Sequence, residues 1–535
     1  MGNFGTLNWS ILLVYVIGNL YLGYVLGKKI ESAEDFFLGR RTTPWWAIGI
    51  SVIATYVSAL SFLGAPAWSY TSGLSVMAIH LNYPLVIFIV ITYFLPFFWN
   101  SGVASIYEYQ ERRFGPTSRS VISAIFLVSQ GLTSAAILYA TSLVLEFITG
   151  IDVVHAIVIV TVISLIYTTM GGITAVIWTD VIQAGVLLVG ALMIVYALVD
   201  QLPMPLADTL SSLKAAGKAN PLNFSFDLTA EATIWSGVIA MTLYHVTVYG
   251  ANQMMVQRTL AAKNIGDAKK SYLLMGFAAF FIYFLFFILG ILLYSYYGGI
   301  EFENGNTIIL QFAADYGLPG FMGVIAAAVL AASMSSLDSS FNSMATISTL
   351  DFYQKYYRKD ESPEHYLKVS RLFTIFWAVL IIIPAIMYAQ SEGSILQTLS
   401  KIGAYFVGAN LSMHALGFFS KHTTERGLLI GIVAGFVMVG FVATQTEIAW
   451  PWFCLIGATV NIVVSIIASL IIDGRQATYS PYTVKGQIEK FRAEGKAEKD
   501  RGWYLIPCKV DKISYLLLVF FAATVLFLFL FERMI

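Results

Sequence analysis

Apolar stretches of about 20 residues, each long enough to cross a bilayer core as a helix, recur along nearly the whole chain. They lie near 8–27, 45–64, 74–99, 119–148, 153–170, 176–199, 233–257, 272–295, 320–350, 370–389, 395–419, 427–444, 451–472 and 513–532. The pattern predicts an all-α polytopic membrane protein of about 14 transmembrane helices. No large soluble domain fits between the stretches. The longest polar gaps are 200–232 and 473–512, and the second contains the charged run VKGQIEKFRAEGKAEKDRG. That run is expected to be a cytoplasmic segment, amphipathic or flexible. The first apolar run has no basic residues before it and is expected to be a retained span, not a cleaved signal.

One span departs from simple greasiness. Residues 321–350 read FMGVIAAAVLAASMSSLDSSFNSMATISTL, with Ser335, Ser336, Asp338, Ser339 and Ser340 in the middle. Ser335 and Ser339 are one turn apart on one face, and Asp338 is three residues from Ser335. A carboxylate at membrane depth is costly and marks an ion or substrate path. Hydroxyls and a carboxylate are hard oxygen ligands, suited to a small hard cation. Serines alone would read as hydrogen bonding between helices. The added aspartate favours an ion site.

Composition agrees: 58% hydrophobic and 12% charged residues, with a mean hydropathy of +0.75. With the N-terminus outside and the spans alternating, all but four of the 31 Lys and Arg fall on the inner side. The inner set includes Lys28, Lys29, Arg40, Arg41, Arg112, Arg113, Arg258, Lys263, Lys269, Lys270, Arg358, Lys359, Lys421 and Arg426. Lys214, Lys218 and Arg533 fall outside, and Lys401 lies within a span. This asymmetry predicts both termini outside. The zero net charge hides it. Cys454 and Cys508 suggest neither a disulfide nor a metal site. CxxC, HExxH, GxSxG and P-loop patterns are absent in their required contexts, so an enzyme is not expected. His80, His245 and His414 lie within spans without forming a metal triad.

Several spans carry breakers or polar runs midway. The second, WWAIGISVIATYVSALSFLGAP, holds Thr55, Ser58 and Ser61, with Gly64 and Pro66 at its end. The seventh holds His245, Gly250 and Asn252, and the eleventh Lys401, Gly403 and Gly408. Interrupted spans leave backbone carbonyls free to bind a cation, which is tolerated only around a protein-lined cavity. For any single glycine, ordinary helix packing is the simpler reading.

Four segments resemble the sodium:solute symporter family: DFFLGRRTTPWWAIGISVIATYVSALSFLG (35–64), YTTMGGITAVIWTDVIQ (167–183), NQMMVQRTLAAK (252–263) and AAVLAASMSSLDSSFNSMATISTLDFY (327–353). The resemblance covers most of the chain. It implies a leucine-transporter-type 5+5 inverted repeat, with five-helix repeats at 45–199 and 233–419 joined by an outer loop at 200–232. An extra span and inner loop would precede them at 1–44. Two C-terminal spans (420–472), the loop 473–512 and a last span (513–535) would follow.

The resemblance also implies residues. The family's shared sodium site falls on the carbonyls of Ala54 and Val57 with Ala332, Ser335 and Ser336. A second sodium site, present in some members, falls on Asp180 with Ser335, Asp338 and Ser339. Asp338 stands where a hydroxyl residue is usual, and two carboxylates around one monovalent ion are unusual. Asp180 has the alternative of pairing with an inner-loop arginine. Positions that contact sugar in sugar-carrying members fall on Tyr56, Ser61, His80, His245, Ala279 and Ser400. The inner-gate tyrosine falls on Val248, with Tyr249 adjacent. The arginine that holds a sialic acid carboxylate falls near Leu132. The expected pocket is Tyr56, Ser61, His80, His245, Tyr249, Ser400 and Lys401. Lys401 can pair with a substrate carboxylate or snorkel to the outer interface.

The expected function is sodium-coupled import of a small polar solute, a sugar, polyol or small carboxylate, by alternating access across a plasma membrane, in all expectation the bacterial inner membrane. Sodium is the coupling ion, with no other cofactor or metal. The partners are the solute, sodium and the bilayer, with no nucleic acid. A sodium-independent uniporter, a channel and a transporter-fold sensor are the competing classes. A sensor would carry a signalling domain for which the chain has no room.

Overall fold

A chain this apolar must satisfy its backbone internally once lipid surrounds it, and helices do so. The computed structural model describes residues 4–27, 41–103, 105–389, 395–476 and 478–535, apart from the side chains of residues 167, 169–172 and 395–401. Lys28, Lys29 and Arg40 lie outside the described residues, as do the side chains of Ser400 and Lys401. The principal helices, in chain order, are α1 (Thr6–Gly27), α2 (Trp45–Tyr56), α3 (Ala59–Ser72), α4 (Pro116–Thr149), α5 (Val153–Asp200), α6 (Met241–Gly250) and α7 (Gln253–Leu260). They continue with α8 (Ile265–Tyr296), α9 (Phe321–Ile347), α10 (Ile395–Phe419), α11 (Glu425–Gln445), α12 (Pro451–Ile472) and α13 (Tyr515–Met534).

Among the described residues, 11 helices are long and apolar enough to cross a membrane, and the bent pair α2–α3 makes up to 12. Two expected spans differ. The stretches 153–170 and 176–199 form one helical run, α5, with no loop between them. The intervening YTTMGGITAV carries neither a proline nor a charge to end a helix. The stretch 233–257 is divided between α6 and α7 and falls short as a single helix.

Two helices are broken where a short polar residue restarts them. Between α2 and α3 the axis turns by 56°. Val57 leaves the helical region (φ −84°, ψ 84°), and Ser58 is extended and caps α3 by accepting the Leu60 N–H. The break therefore sits at Val57–Ser58. Gly64 and Pro66, expected at the end of that span, lie inside α3. Asn252 is likewise extended and caps α7 through the Met254 N–H at 2.9 Å. The eleventh stretch, in contrast, is one uninterrupted helix, α10. Its glycines serve packing: a Cβ on Gly408 would press on the Cys454 carbonyl at 2.9 Å.

α9 is the centre of the molecule. In its most apolar window 89% of residues are buried, against 17% for α1 and 22% for the segment containing α13, which lie at the periphery. α9 packs chiefly on α5 and α4. α11 and α12 pair through small residues: Gly427, Gly431 and Gly435 face Ser469, Ser465 and Asn461, so the backbones approach closely.

The charged segment 473–512 is folded. It contains the helix Val484–Ala493 and an antiparallel ribbon of Lys499–Asp500 with Trp503–Tyr504. It docks on the bundle through Gln487 to the Phe97 carbonyl (3.1 Å), Asn100 to the Leu505 carbonyl (2.7 Å) and the Cys508 N–H to the Thr92 carbonyl (3.1 Å). Lys269 pairs with Asp511 at 2.5 Å, fully buried, so this lysine is not a loop residue. On the same side Glu111 receives Arg119 at 2.9 Å and Lys355 at 3.0 Å. Burial pushes the Glu111 carboxyl up, but the two cations outweigh it and hold it below the usual carboxylate range.

Candidate functional site: an ion cluster beside an aromatic cavity

The break after α2 changes the bonding of its last carbonyls. The Ser58 N–H turns to the Tyr56 carbonyl at 3.1 Å, so Ala54 loses the i+4 donor that a continued helix would supply. The Thr55 carbonyl accepts the Ser336 hydroxyl of α9 at 2.9 Å. Ala54, Val57, Ala332, Ser335 and Ser336 are all buried, at most 5% exposed. The Ser336 contact brings the interrupted strand of backbone onto the α9 turn that carries the two hydroxyls. A buried carbonyl without its helical donor, beside the Ser335 and Ser336 hydroxyls, supplies oxygens of the hard kind that suit a dehydrated cation.

Asp180 of α5, which bonds to the same α9 turn, is fully buried. It accepts the Ser335 hydroxyl at 2.5 Å through Oδ1 and the Ser51 hydroxyl at 2.5 Å through Oδ2, with Thr55 at 3.5 Å. Asp338 accepts the Thr168 hydroxyl at 2.6 Å. Sequence reading assigned Arg258 to an inner loop. It is instead a fully buried residue of α7, with its guanidinium 3.7 Å from Asp180. Its Nε donates to Ser51 at 3.0 Å, its Nη2 to Ser339 and its Nη1 to the Met254 carbonyl. Asp180, Ser335 and Ser339 thus share one hydrogen-bonded cluster with Arg258.

A cavity of about 210 Å³ opens against this cluster. Thr55, Ser58 and Ser336 line it, and Thr55 and Ser336 also bond within the polar cluster, so cluster and cavity share a wall. Of the expected pocket residues, Tyr56, Ser61, His80 and His245 line it. Tyr249 does not: it is buried behind Tyr56, ring centroids 5.4 Å apart. Ala279 is buried in the core and also outside the lining. Sequence reading missed Trp68, Gln130, Tyr244, Tyr283, Asn410 and Trp450, which also line the cavity. The four aromatic residues among them are ordinary in apolar spans, so nothing in the one-dimensional pattern set those apart.

The histidines are oriented by their neighbours. The Asn82 amide nitrogen donates to the Gly237 carbonyl at 2.7 Å, which turns its oxygen toward His245 Nδ1 at 2.9 Å. His245 then carries its proton on Nδ1, and Nε2 is left as a buried acceptor without a hydrogen-bond partner among the described residues. His80 stacks on Tyr283 with centroids 3.8 Å apart and pairs Nδ1 with the Tyr83 hydroxyl at 2.9 Å. The described lining holds no Asp, Glu, Lys or Arg. Among the described residues no group of three His, Cys, Asp or Glu is placed to hold a metal ion.

The architecture is shared with solved transporters. A sodium-coupled sialic acid symporter, determined substrate-bound and outward-open, matches with a TM-score of 0.82 at 28% identity, covering 88% of this chain and 98% of that one. A transporter of the nucleobase-cation-symport-1 family shares the fold alone, with a TM-score of 0.54 at 14% identity over 81% of this chain and 93% of that one. These neighbours place the chain among membrane transporters that couple ions to solutes. The model of the sodium:solute symporter family matches residues 36–435, and the chain belongs to that family. It is 30% identical to the sodium/sialic acid symporter of Aliivibrio fischeri over 87% of this chain and 94% of that protein. It is 33% identical to the sodium/glucose cotransporter of Vibrio parahaemolyticus over 80% and 82%. The family consists of transporters, not enzymes, and sodium is the coupling ion of these relatives.

Proposed function

We propose that the protein imports a neutral polyhydroxylated solute, a sugar or polyol, together with sodium by alternating access. The observation that carries the reading is the shared wall: Thr55 and Ser336 line the cavity and also bond within the cluster around Asp180 and Ser339. Sodium held by the Ala54, Val57 and Ala332 carbonyls and the Ser335 and Ser336 hydroxyls would fix the α2–α3 break in one geometry. That break presents Tyr56 and Ser61 to the solute. Each ligand then favours the other's binding, and the coupling is reciprocal. The membrane potential contributes about 2.3 kcal/mol per ion per 100 mV.

Two observations support a neutral solute over a carboxylate. The described lining is uncharged, with hydroxyls, amides, an imidazole acceptor and indole faces of the kind that bind hydroxylated rings. The loops assigned to the outer side carry Asp152, Asp200, Asp208, Asp227, Glu231, Glu301, Glu303, Asp315 and Glu447 against Lys214 and Lys218 among the described residues. Such a surface concentrates cations and repels anions. Lys401 keeps a small carboxylate as the alternative solute. In this reading the repeats span 45–199 and 233–419, both termini lie outside, and the membrane is the plasma membrane.

The test is uptake by proteoliposomes of labelled monosaccharides, polyols and small carboxylates, with and without an inward sodium gradient. Sodium-driven accumulation of a neutral solute, abolished by Ser336→Ala, is the expected outcome. Accumulation of carboxylates alone would transfer the specificity to Lys401. Uptake indifferent to both sodium and Ser336→Ala would overturn the symport reading.

A further inference from the structure

The cavity has two ends built from different parts of the chain. Thr55 and Ser336 line it beside the polar cluster. Trp68, Ile79, Met241, Tyr244 and Trp450 also line it, and they pack together as one apolar group. Trp68 follows Ser58 by about three helical turns, about 15 Å along α3. The apolar group therefore closes the end remote from the ion cluster. Trp450 is its one member from outside the proposed repeats. It stands in the turn between α11 and α12, beyond residues 36–435 that the family model matches.

That turn is held over the cavity by the segment 200–232, outer in the proposed topology. The Ala449 N–H donates to the Leu228 carbonyl at 2.8 Å, and the Leu74 N–H, just after α3, donates to the Lys218 carbonyl at 2.7 Å. One segment thus straps the end of α3 to the turn that carries Trp450. Pro451, at the first position of α12, fixes the backbone that follows. Trp450 is 4% exposed, and its ring stands edge-on to Tyr244 with centroids 6.4 Å apart. α12 is in turn bound to α10: Phe453 lies against Tyr405 with centroids 5.8 Å apart, and the Asn461 amide donates to the Ser412 hydroxyl.

We propose that Trp450 is the lid of the solute cavity and limits the solute to a single hydroxylated ring or a polyol of that size. An indole offers a flat apolar face, which suits the C–H face of a sugar while neighbouring polar groups take its hydroxyls. The cavity of about 210 Å³ is smaller than the roughly 300–1,000 Å³ of sites for drug-sized ligands, and the Trp450 ring bars its extension. Because α12 is bound to α10, a displacement of α10 carries the lid with it. Trp452, two residues on, is also buried, but it packs with Ala240 and Ala449 and does not line the cavity. It separates a lid from mere packing of the hairpin.

The inference rests on the neutral-solute reading, and the experiment separates the two. Sodium-driven uptake of labelled glucose, galactose and mannitol is measured in proteoliposomes of the full-length protein, with unlabelled maltose as a two-ring competitor. The wild type is expected to take up at least one of the three and to ignore maltose. Trp450→Ala should raise the KM of that solute by roughly 2–13-fold, the loss of one aromatic face, and should become sensitive to maltose. Its sodium dependence should stay that of the wild type, because Trp450 lies at the end remote from the ion cluster. Trp450→Phe keeps an aromatic face and should keep the wild-type KM, and Trp452→Ala should keep it too. An unchanged KM in Trp450→Ala, an equal shift in Trp452→Ala, or inhibition of the wild type by maltose overturns the lid and leaves symport standing. A wild type that takes up none of the three solutes overturns the neutral-solute reading and this inference with it. If Trp450→Ala fails to fold, Trp450→Leu removes the aromatic face with less loss of bulk, and a wild-type KM there overturns the inference equally.

Discussion

At the residue scale, the outcome turns on what a polar group costs in an apolar span. Ser335, Ser336 and Asp338 were legible in the sequence because a hydroxyl run and a carboxylate inside such a span need a reason, whereas Asp180 came only from the resemblance to the family. Arg258 was not legible in its place. The positive-inside pattern assigns an arginine at the end of a span to the inner loop, and only folding shows it turned back onto Ser51 and Ser339. Tyr249 was expected in the pocket because it neighbours the matched gate position, but one helical step puts its ring behind Tyr56. His245 makes the sharpest single-residue prediction. Its Nε2 offers a buried acceptor to a solute hydroxyl. Losing one such bond costs about 0.5–1.5 kcal/mol. His245→Phe should therefore raise the KM for the neutral solute by roughly 2–13-fold, leaving sodium binding to the solute-free protein unchanged. An unchanged KM would remove His245 from the solute site.

At the element scale, the feature that builds the site is a pair of broken helices. The sequence signalled both, through polar residues midway along spans two and seven that include Ser58 and Asn252, but it ended span two too early and added a break in span eleven. Gly64 and Pro66 looked like the end of a span, yet α3 runs through them, with Pro66 in the helix interior, where it forgoes one backbone hydrogen bond without ending the helix. Ser58, a good helix cap, made the real break. In α10, Gly403 and Gly408 are contact surfaces for Tyr244 and for α12, so glycine there signals close approach and not interruption. Close approach of the same kind holds α3 to α8. A Cβ on Gly290 would collide with the Pro66 carbonyl oxygen and the Ser69 hydroxyl, whereas Gly440 has open space around it. Overpacking against backbone costs about 1–3 kcal/mol. Gly290→Ala should lower the detergent-solubilised thermal midpoint by several degrees, with Gly440→Ala as an unchanged control. Equal midpoints for the two variants would contradict the packing described for α3 and α8.

At the scale of the whole molecule, class and family were readable from hydropathy, charge asymmetry and four motifs. The arrangement around the cavity was not, because it joins side chains from α2, α3, α4, α6, α8 and α10 that are far apart in sequence. The segment 473–512 shows the same limit. Its charges suggest a solvated linker, but the Lys269–Asp511 pair and three backbone-directed contacts tie it to the stretch Leu74–Ser101 and to α8. It is thereby part of the transporter body. In the proposed mechanism the ion cluster and the solute cavity act as one coupled site, because Thr55 and Ser336 line the cavity and bond within the cluster. The most direct test is the affinity of the purified protein for its neutral solute, measured by calorimetry across a sodium titration, in the wild type and in Ser336→Ala. Coupling between linked sites is typically about 5–150-fold. The wild type should gain solute affinity in that range as sodium saturates, and Ser336→Ala should show a flat profile. Solute affinity independent of sodium in the wild type would contradict the account.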